Sequence, residues 1–135
     1  MTTINKAKEL LKNGTLAVIN GESVFVYHER GIKTLLDILM GGPALLEGAI
    51  VADKVVGKAA ALLMVKGGVK EVYAETISES ALEVFRSHQI PATFGASVPR
   101  IMNRAGTGPC PMESAVTEIN DPQTAFEALK QKVYG

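Results

Sequence analysis

The chain has 135 residues, of which 47% are apolar, and its fourteen lysines and arginines are balanced by fourteen aspartates and glutamates. This length predicts a single domain over residues 1–135 with a sizeable core. The charge balance argues against binding to nucleic acid or to a membrane surface, because such proteins carry a basic excess. One cysteine excludes an internal disulfide and a zinc site made of several cysteines.

The first third of the chain predicts a helix, a hairpin and a second helix. Residues 3–13 have the spacing of an amphipathic helix. Apolar runs at 16–19 and 24–27 flank an Asn-Gly turn, which indicates a hairpin, and the unbroken first run predicts a strand covered on both faces. Residues 31–40 carry leucines at helical spacing. The first twelve residues lack the apolar core of a signal peptide, so a cytoplasmic location is expected.

The stretch from Val51 to Gly68 is predicted to be a central helix that begins at Asp53 as its N-cap. Its apolar residues leave no polar stripe, so the helix should be buried, and it is too short to span a bilayer. Lys54 and Lys58 lie four residues apart near the positive end of the helix dipole, and Gly57 allows a close approach. This pattern predicts a weak anion site, although both lysines could instead extend into solvent.

The remaining elements alternate between strands and helices. Strands are predicted over residues 69–74 and 90–94, with a helix over 79–88 between them that is capped by Ser78. A last helix begins at Asp121 with Pro122 in its first position. This order predicts an α/β protein, a three-layer α/β/α sandwich whose mixed sheet is opened by an antiparallel hairpin.

The segment from residue 99 to 114 is the richest in chemically active side chains. Cys110 precedes Pro111, a favoured first residue of a helix, and Glu113 lies where a capping box would place its carboxylate. A thiol at a helix N-terminus ionises more readily, so Cys110 is a candidate nucleophile, unless it is a buried cysteine that only fills space. The same segment supplies four further candidates for ligand binding: Asn103, Arg104, Gly106 and Gly108.

Two residues at the end of the predicted strand 69–74 are further candidates for ligand binding. Glu75 and Ser78 follow a strand and precede a helix, which is the edge of an α/β sheet that usually faces a ligand. A simple helix cap is the alternative for this stretch. The two histidines have no metal-binding spacing, and no nucleotide-binding or zinc-protease motif is present, so neither a metal nor a cofactor is predicted.

Several motifs together resemble a small uncharacterised bacterial family with a cytidine-deaminase-like fold. They are DKVVGKAAA at 53–61, VYAETISE at 72–79, and VPRIMNR with CPME at 98–104 and 110–113. The resemblance implies that fold for most of the chain. Zinc deaminases carry His-x-Glu or Cys-x-Glu at the start of the central helix and Pro-Cys-x-x-Cys at the next helix. The corresponding stretches here contain neither histidine nor cysteine, so zinc-dependent deamination is not expected.

Two classes of function remain open. The first is a metal-independent enzyme with a pocket formed by the N-terminus of the central helix and the 99–114 loop. In this pocket Cys110, Lys58 and Glu113 would act on a small anionic or nucleotide-like molecule. The second is a non-catalytic module that uses the same pocket for ligand binding or assembly. A homodimer is expected from the apolar composition and from the fold that the resemblance implies.

Overall fold

The computed structural model of the protein describes residues 2–29, 31–103 and 105–135. These residues form a mixed α/β fold with a five-stranded sheet, six α-helices and one short 3-10 turn. The helices are α1 (Thr3–Leu11), α2 (Lys33–Gly41), α3 (Lys58–Gly67), α4 (Glu79–Ser87), α5 (Pro111–Ala115) and α6 (Pro122–Tyr134). The strands are β1 (Leu16–Asn20), β2 (Ser23–Tyr27), β3 (Ile50–Val56), β4 (Glu71–Ser78) and β5 (Ala92–Val98). None of the helices in the described ranges is long and apolar enough to cross a membrane.

The sheet has the strand order β2-β1-β3-β4-β5. Strand β1 is antiparallel to both β2 and β3, whereas β3, β4 and β5 run parallel. Gly21 has a φ of 61° in the tight turn between β1 and β2, which confirms the predicted hairpin. Because β1 runs against β3, the carboxyl ends of β3 and β4 lie at the same edge of the sheet as the start of β1.

Helices cover both faces of this sheet. On one face, α1 packs Ala7 and Leu11 against Ala17, Ile19 and neighbouring residues of β3. On the other face, Leu16 and Val18 join the main core with residues of α2, α3, α4 and α6. The residues from Leu16 to Ile19 are all buried, so the prediction that β1 is covered on both faces is confirmed.

The predicted central helix is wrong in its first part. Residues from Ile50 to Val56 form strand β3, and α3 begins only at Lys58, after Gly57. Asp53 is therefore a residue of a strand and not an N-cap. The segment is a strand because it pairs with β1 on one side and β4 on the other, and its β-branched residues suit that position. The second part is right, since α3 is buried from Ala59 to Met64.

Two helix starts are confirmed by their capping bonds. The Ser78 hydroxyl accepts a 3.1 Å hydrogen bond from the backbone N–H of Ala81 at the start of α4. The Asp121 carboxylate accepts a 2.8 Å bond from the backbone N–H of Thr124 at the start of α6. The predicted strands 69–74 and 90–94 are both present, but each begins two residues later and runs four residues further, as β4 and β5.

Candidate functional site

A cavity of about 580 Å³ lies over the carboxyl ends of β3 and β4. Its walls are the start of β1, the start of α2 and the segment that carries α5. Its polar lining residues are Thr15, Glu29, Thr34, Asp53, Lys54, Glu75, Thr76, Cys110 and Glu113. The volume is within the usual range for small-molecule sites, and the carboxyl edge of an α/β sheet is where such sites usually lie.

Asp53 is the cavity residue whose pKa is shifted most from its ordinary value. It lies directly opposite Leu16 of β1 and Ala74 of β4, and both of these neighbours are buried and apolar. Burial raises the pKa of the Asp53 carboxyl to about 7, although the backbone N–H groups of Lys54 and Val55 act to lower it. At neutral pH the group is therefore present both as an acid, which can donate a hydrogen bond, and as a carboxylate, which only accepts.

The two lysines of the predicted anion site lie in different elements, Lys54 in β3 and Lys58 in α3. The ammonium of Lys54, in β3, lies 3.4 Å from the carboxylate of Glu75 on the neighbouring strand. The Nζ of Lys58 donates a 3.1 Å hydrogen bond to the carbonyl of Thr117, beyond the end of α5, and Lys58 does not line the cavity. Only Lys58 lies in the first turn of α3, so the prediction that both lysines flank one helix start is wrong.

The N-terminus of α3 is occupied by a side chain of the protein itself. The two carboxylate oxygens of Glu113 accept hydrogen bonds of 2.7 and 2.8 Å from the backbone N–H groups of Lys58 and Ala59. A Cβ atom at Gly57 would lie 2.4 Å from one of these oxygens, so the glycine is what lets the carboxylate approach. The predicted capping box within α5 is wrong, because Glu113 caps α3 and not its own helix.

Cys110 lies where the sequence predicts. It precedes Pro111 at the start of α5, lines the cavity and is half-buried. Its backbone N–H donates a 3.2 Å bond to the carbonyl of Ile101, which ties the two ends of the intervening loop together. Cys110 thus shares the cavity with Asp53, whereas its predicted partner Lys58 points elsewhere. A nucleophilic role for Cys110 stays a prediction.

Other predicted residues have local structural contacts. Asn103 closes a turn: its side-chain oxygen accepts a 3.1 Å bond from the backbone N–H of Thr107, and its own N–H donates to the carbonyl of Gly108. Gly106 has a φ of 71° within this turn. Asn103, Gly106 and Gly108 do not line the cavity. Ser78 is buried at the start of α4, where it is the N-cap. Arg104 lies outside the described residues.

The hydroxyl groups in the cavity were not predicted from the sequence. Thr15, Thr34 and Thr76 line it, each in a different element or at its border. Thr15 lies next to β1, where its hydroxyl donates a 2.6 Å bond to the carbonyl of Glu29. Thr76 adjoins Glu75 in a stretch already singled out, so a wider reading of that strand end would have included it. Single threonines on separate elements form no sequence motif, so the sequence does not predict that they meet in one cavity.

Residues 6–133 match a family described as a domain of unknown function, DUF1893 (TM1506). A crystal structure of a DUF1893 family protein, TM1506 from Thermotoga maritima, is similar to this chain with a TM-score of 0.87 and 27% sequence identity. The similarity covers 96% of this chain and 88% of that chain. No curated protein matches the sequence. The chain belongs to the DUF1893 family.

Proposed function

We propose that the protein binds a small hydrogen-bonding molecule of nucleoside-like size in the cavity, and that Asp53 exchanges a proton with it. The observation that carries the proposal is the position of Asp53. Its carboxyl lines a cavity of about 580 Å³ among apolar neighbours, with a pKa near 7 caused by burial. Titratable groups with strongly shifted pKa values in a cleft are typical of functional sites.

The chemistry of this carboxyl favours a neutral heterocycle with adjacent donor and acceptor groups. A protonated carboxyl offers one O–H donor and one C=O acceptor, which match the N–H and ring nitrogen or carbonyl on one edge of a nucleobase. A group whose pKa lies near the working pH can also act as a general acid or base. The anionic class of ligand is less well supported, because Glu113 already occupies the N-terminus of α3 and Lys54 is paired with Glu75.

The fold that we propose is a three-layer α/β/α sandwich of the cytidine-deaminase-like type. It is supported by the strand order, with an antiparallel hairpin beside three parallel strands, and by helices on both faces. The residues do not fit the zinc site of such deaminases. The starts of α3 and α4 carry Gly57, Lys58, Ser78 and Glu79, none of which is a histidine or cysteine. We therefore propose zinc-independent chemistry; the cytoplasmic location stays a prediction.

Binding of free nucleobases and nucleosides, followed by thermal shift, tests the proposal. At least one compound should raise the melting temperature of the wild-type protein. Asp53→Val should abolish that shift, because valine has neither a hydrogen-bond donor nor an acceptor, whereas Asp53→Asn keeps one of each and should keep part of the shift. The matched control is Glu118→Gln, which removes an exposed carboxylate that does not line the cavity, and it should keep the shift.

Two results would contradict the proposal: no compound in the panel stabilises the wild type, or Asp53→Val binds as well as the wild type does. Mass spectrometry of the incubated compound separates the two classes of function. A changed mass that requires Asp53 supports an enzyme, and an unchanged mass with tight binding supports a binding module.

A further inference from the structure

Strand β5 is an open edge of the sheet and is poorly covered on both faces. Its five central residues, from Thr93 to Ser97, are all exposed, and Phe94 keeps 43% of its surface accessible. Natural proteins usually protect such an edge with a charge, a proline or a bulge. The stretch from Ala92 to Val98 contains no charged residue and no proline, and among the described residues its backbone is paired only with β4.

The opposite edge of the sheet is the shorter strand β2, and it too lacks charged residues and proline. Strand β2 also exposes Val24 and Phe25, but Val26 and Tyr27 at its end are half-buried, and Tyr27 packs against the main core. Ala92 of β5 packs against the main core in the same way, and β5 is also paired with β4. The two edges therefore differ in the length that is exposed, which is five consecutive residues in β5 and three in β2.

We propose that β5 pairs antiparallel with β5 of a second copy of this chain, about a two-fold axis at Gly95. This register places Phe94 opposite Ala96 of the second copy, so a large side chain meets a small one. The ends pair Ala92 with Val98 in the same way. On the other face, Thr93 lies opposite Ser97 of the second copy, and two hydroxyl groups meet. Cross-strand pairs of these kinds stabilise a sheet, and a two-fold interface requires this self-complementarity.

The charges near the strand are compatible with this arrangement. The charged residue nearest to the carboxyl end of β5 is Arg100. The proposed register places it opposite Ile90 of the second copy and far from Arg100 of the second copy. Pairing would join two five-stranded sheets into one continuous ten-stranded sheet, a size that open sheets reach. No residue of β5 lines the cavity, so the interface does not depend on the proposed function.

Sedimentation analysis of charge variants tests the interface. At tens of micromolar the wild-type protein should have twice the mass of one chain. A variant with both Thr93→Lys and Ser97→Lys should be monomeric, because each new lysine would face another across the axis. A variant with Thr93→Glu and Ser97→Glu should be monomeric for the same reason. An equimolar mixture of the two variants should form a heterodimer, because every facing pair then has opposite charges.

The control carries the same kind of change on the other edge of the sheet. Val24→Lys places a lysine at an exposed position of β2 and should leave the dimer intact. The proposal is overturned by a monomeric wild type, by a dimer that survives the double lysine change, or by a mixture that stays monomeric although both variants are folded by circular dichroism. Loss of the dimer in Val24→Lys alone would place the interface on β2 and would also overturn it.

Discussion

Gly57→Ala is predicted to destabilise the protein by displacing the Glu113 carboxylate from the start of α3. The new Cβ would lie 2.4 Å from one carboxylate oxygen and 2.5 Å from the carboxyl carbon, so the side chain must move. The backbone itself would not be strained, because Gly57 has a φ of −102°, which alanine adopts readily. The change therefore tests the close approach and not the conformational freedom of glycine.

The expected loss can be worked out from the two hydrogen bonds. A hydrogen bond to a charged group contributes a net of about 1.5–3 kcal/mol, and replacing a good N-cap costs about 0.5–2 kcal/mol. The site is only partly buried, so water can replace part of what is lost. Alanine also lowers the conformational entropy of the unfolded chain, which stabilises the folded protein by about 0.4–1 kcal/mol and offsets part of the loss. The free energy of unfolding should therefore fall by about 2 kcal/mol.

A double-mutant cycle measured by urea denaturation checks this reasoning. In a Glu113→Ala background, Gly57→Ala should be neutral or slightly stabilising, because there is no carboxylate left to displace. The matched control is Gly41→Ala, where the added Cβ meets nothing within 4 Å, and it should not lower the free energy of unfolding. If Gly57→Ala cost the same in both backgrounds, or nothing in either, the cap on α3 would have no energetic importance.

Three further predictions concern Asp53, Ser78 and zinc. Because the folded-state pKa of Asp53 is raised to about 7, the folded protein holds a proton there that the unfolded chain releases near pH 4. The wild type should thus lose stability relative to Asp53→Asn as pH rises from about 4 to about 7, and a pH-independent difference in urea denaturation would contradict this. Ser78→Ala should lower the free energy of unfolding by about 1–2 kcal/mol through loss of the buried cap; the exposed Ser87→Ala should change it little, and equal effects would refute this role of Ser78. Elemental analysis should find no stoichiometric zinc, and about one tightly held zinc per chain would contradict the proposed chemistry.

Features encoded by a few neighbouring residues could be predicted from the sequence. Ser78 and Asp121 cap helices because a short side chain with an oxygen reaches an N–H three residues ahead, whatever the rest of the chain does. The hairpin follows from the chemistry of its turn, and the burial of α3 follows from its unbroken apolar run. Each of these depends on contacts within a few residues.

Features that depend on distant partners could not be predicted. Strand β3 contains lysine and valine spacings that also fit a helix, and only its pairing with β1 and β4 makes it a strand. Glu113 caps a helix that begins 55 residues earlier in the chain. The pKa of Asp53 is raised by burial, and that burial depends on the neighbouring strands, which place Leu16 and Ala74 alongside it. In each case the residue could be singled out from the sequence. The distant residue that determines its role could not.

The position of Glu113 bears on which ligands the cavity can take. A phosphate or carboxylate that bound at the start of α3 would have to displace Glu113 and break both of its hydrogen bonds, and it would also meet a repelling carboxylate nearby. A ligand recognised at the sheet edge by Asp53 and the threonine hydroxyls leaves those bonds intact. The second mode costs less free energy, because the protein need not rearrange. Glu113 thus holds the cavity wall that carries Cys110 and Met112 against the start of α3, and we propose that a ligand is recognised at the edge of the sheet.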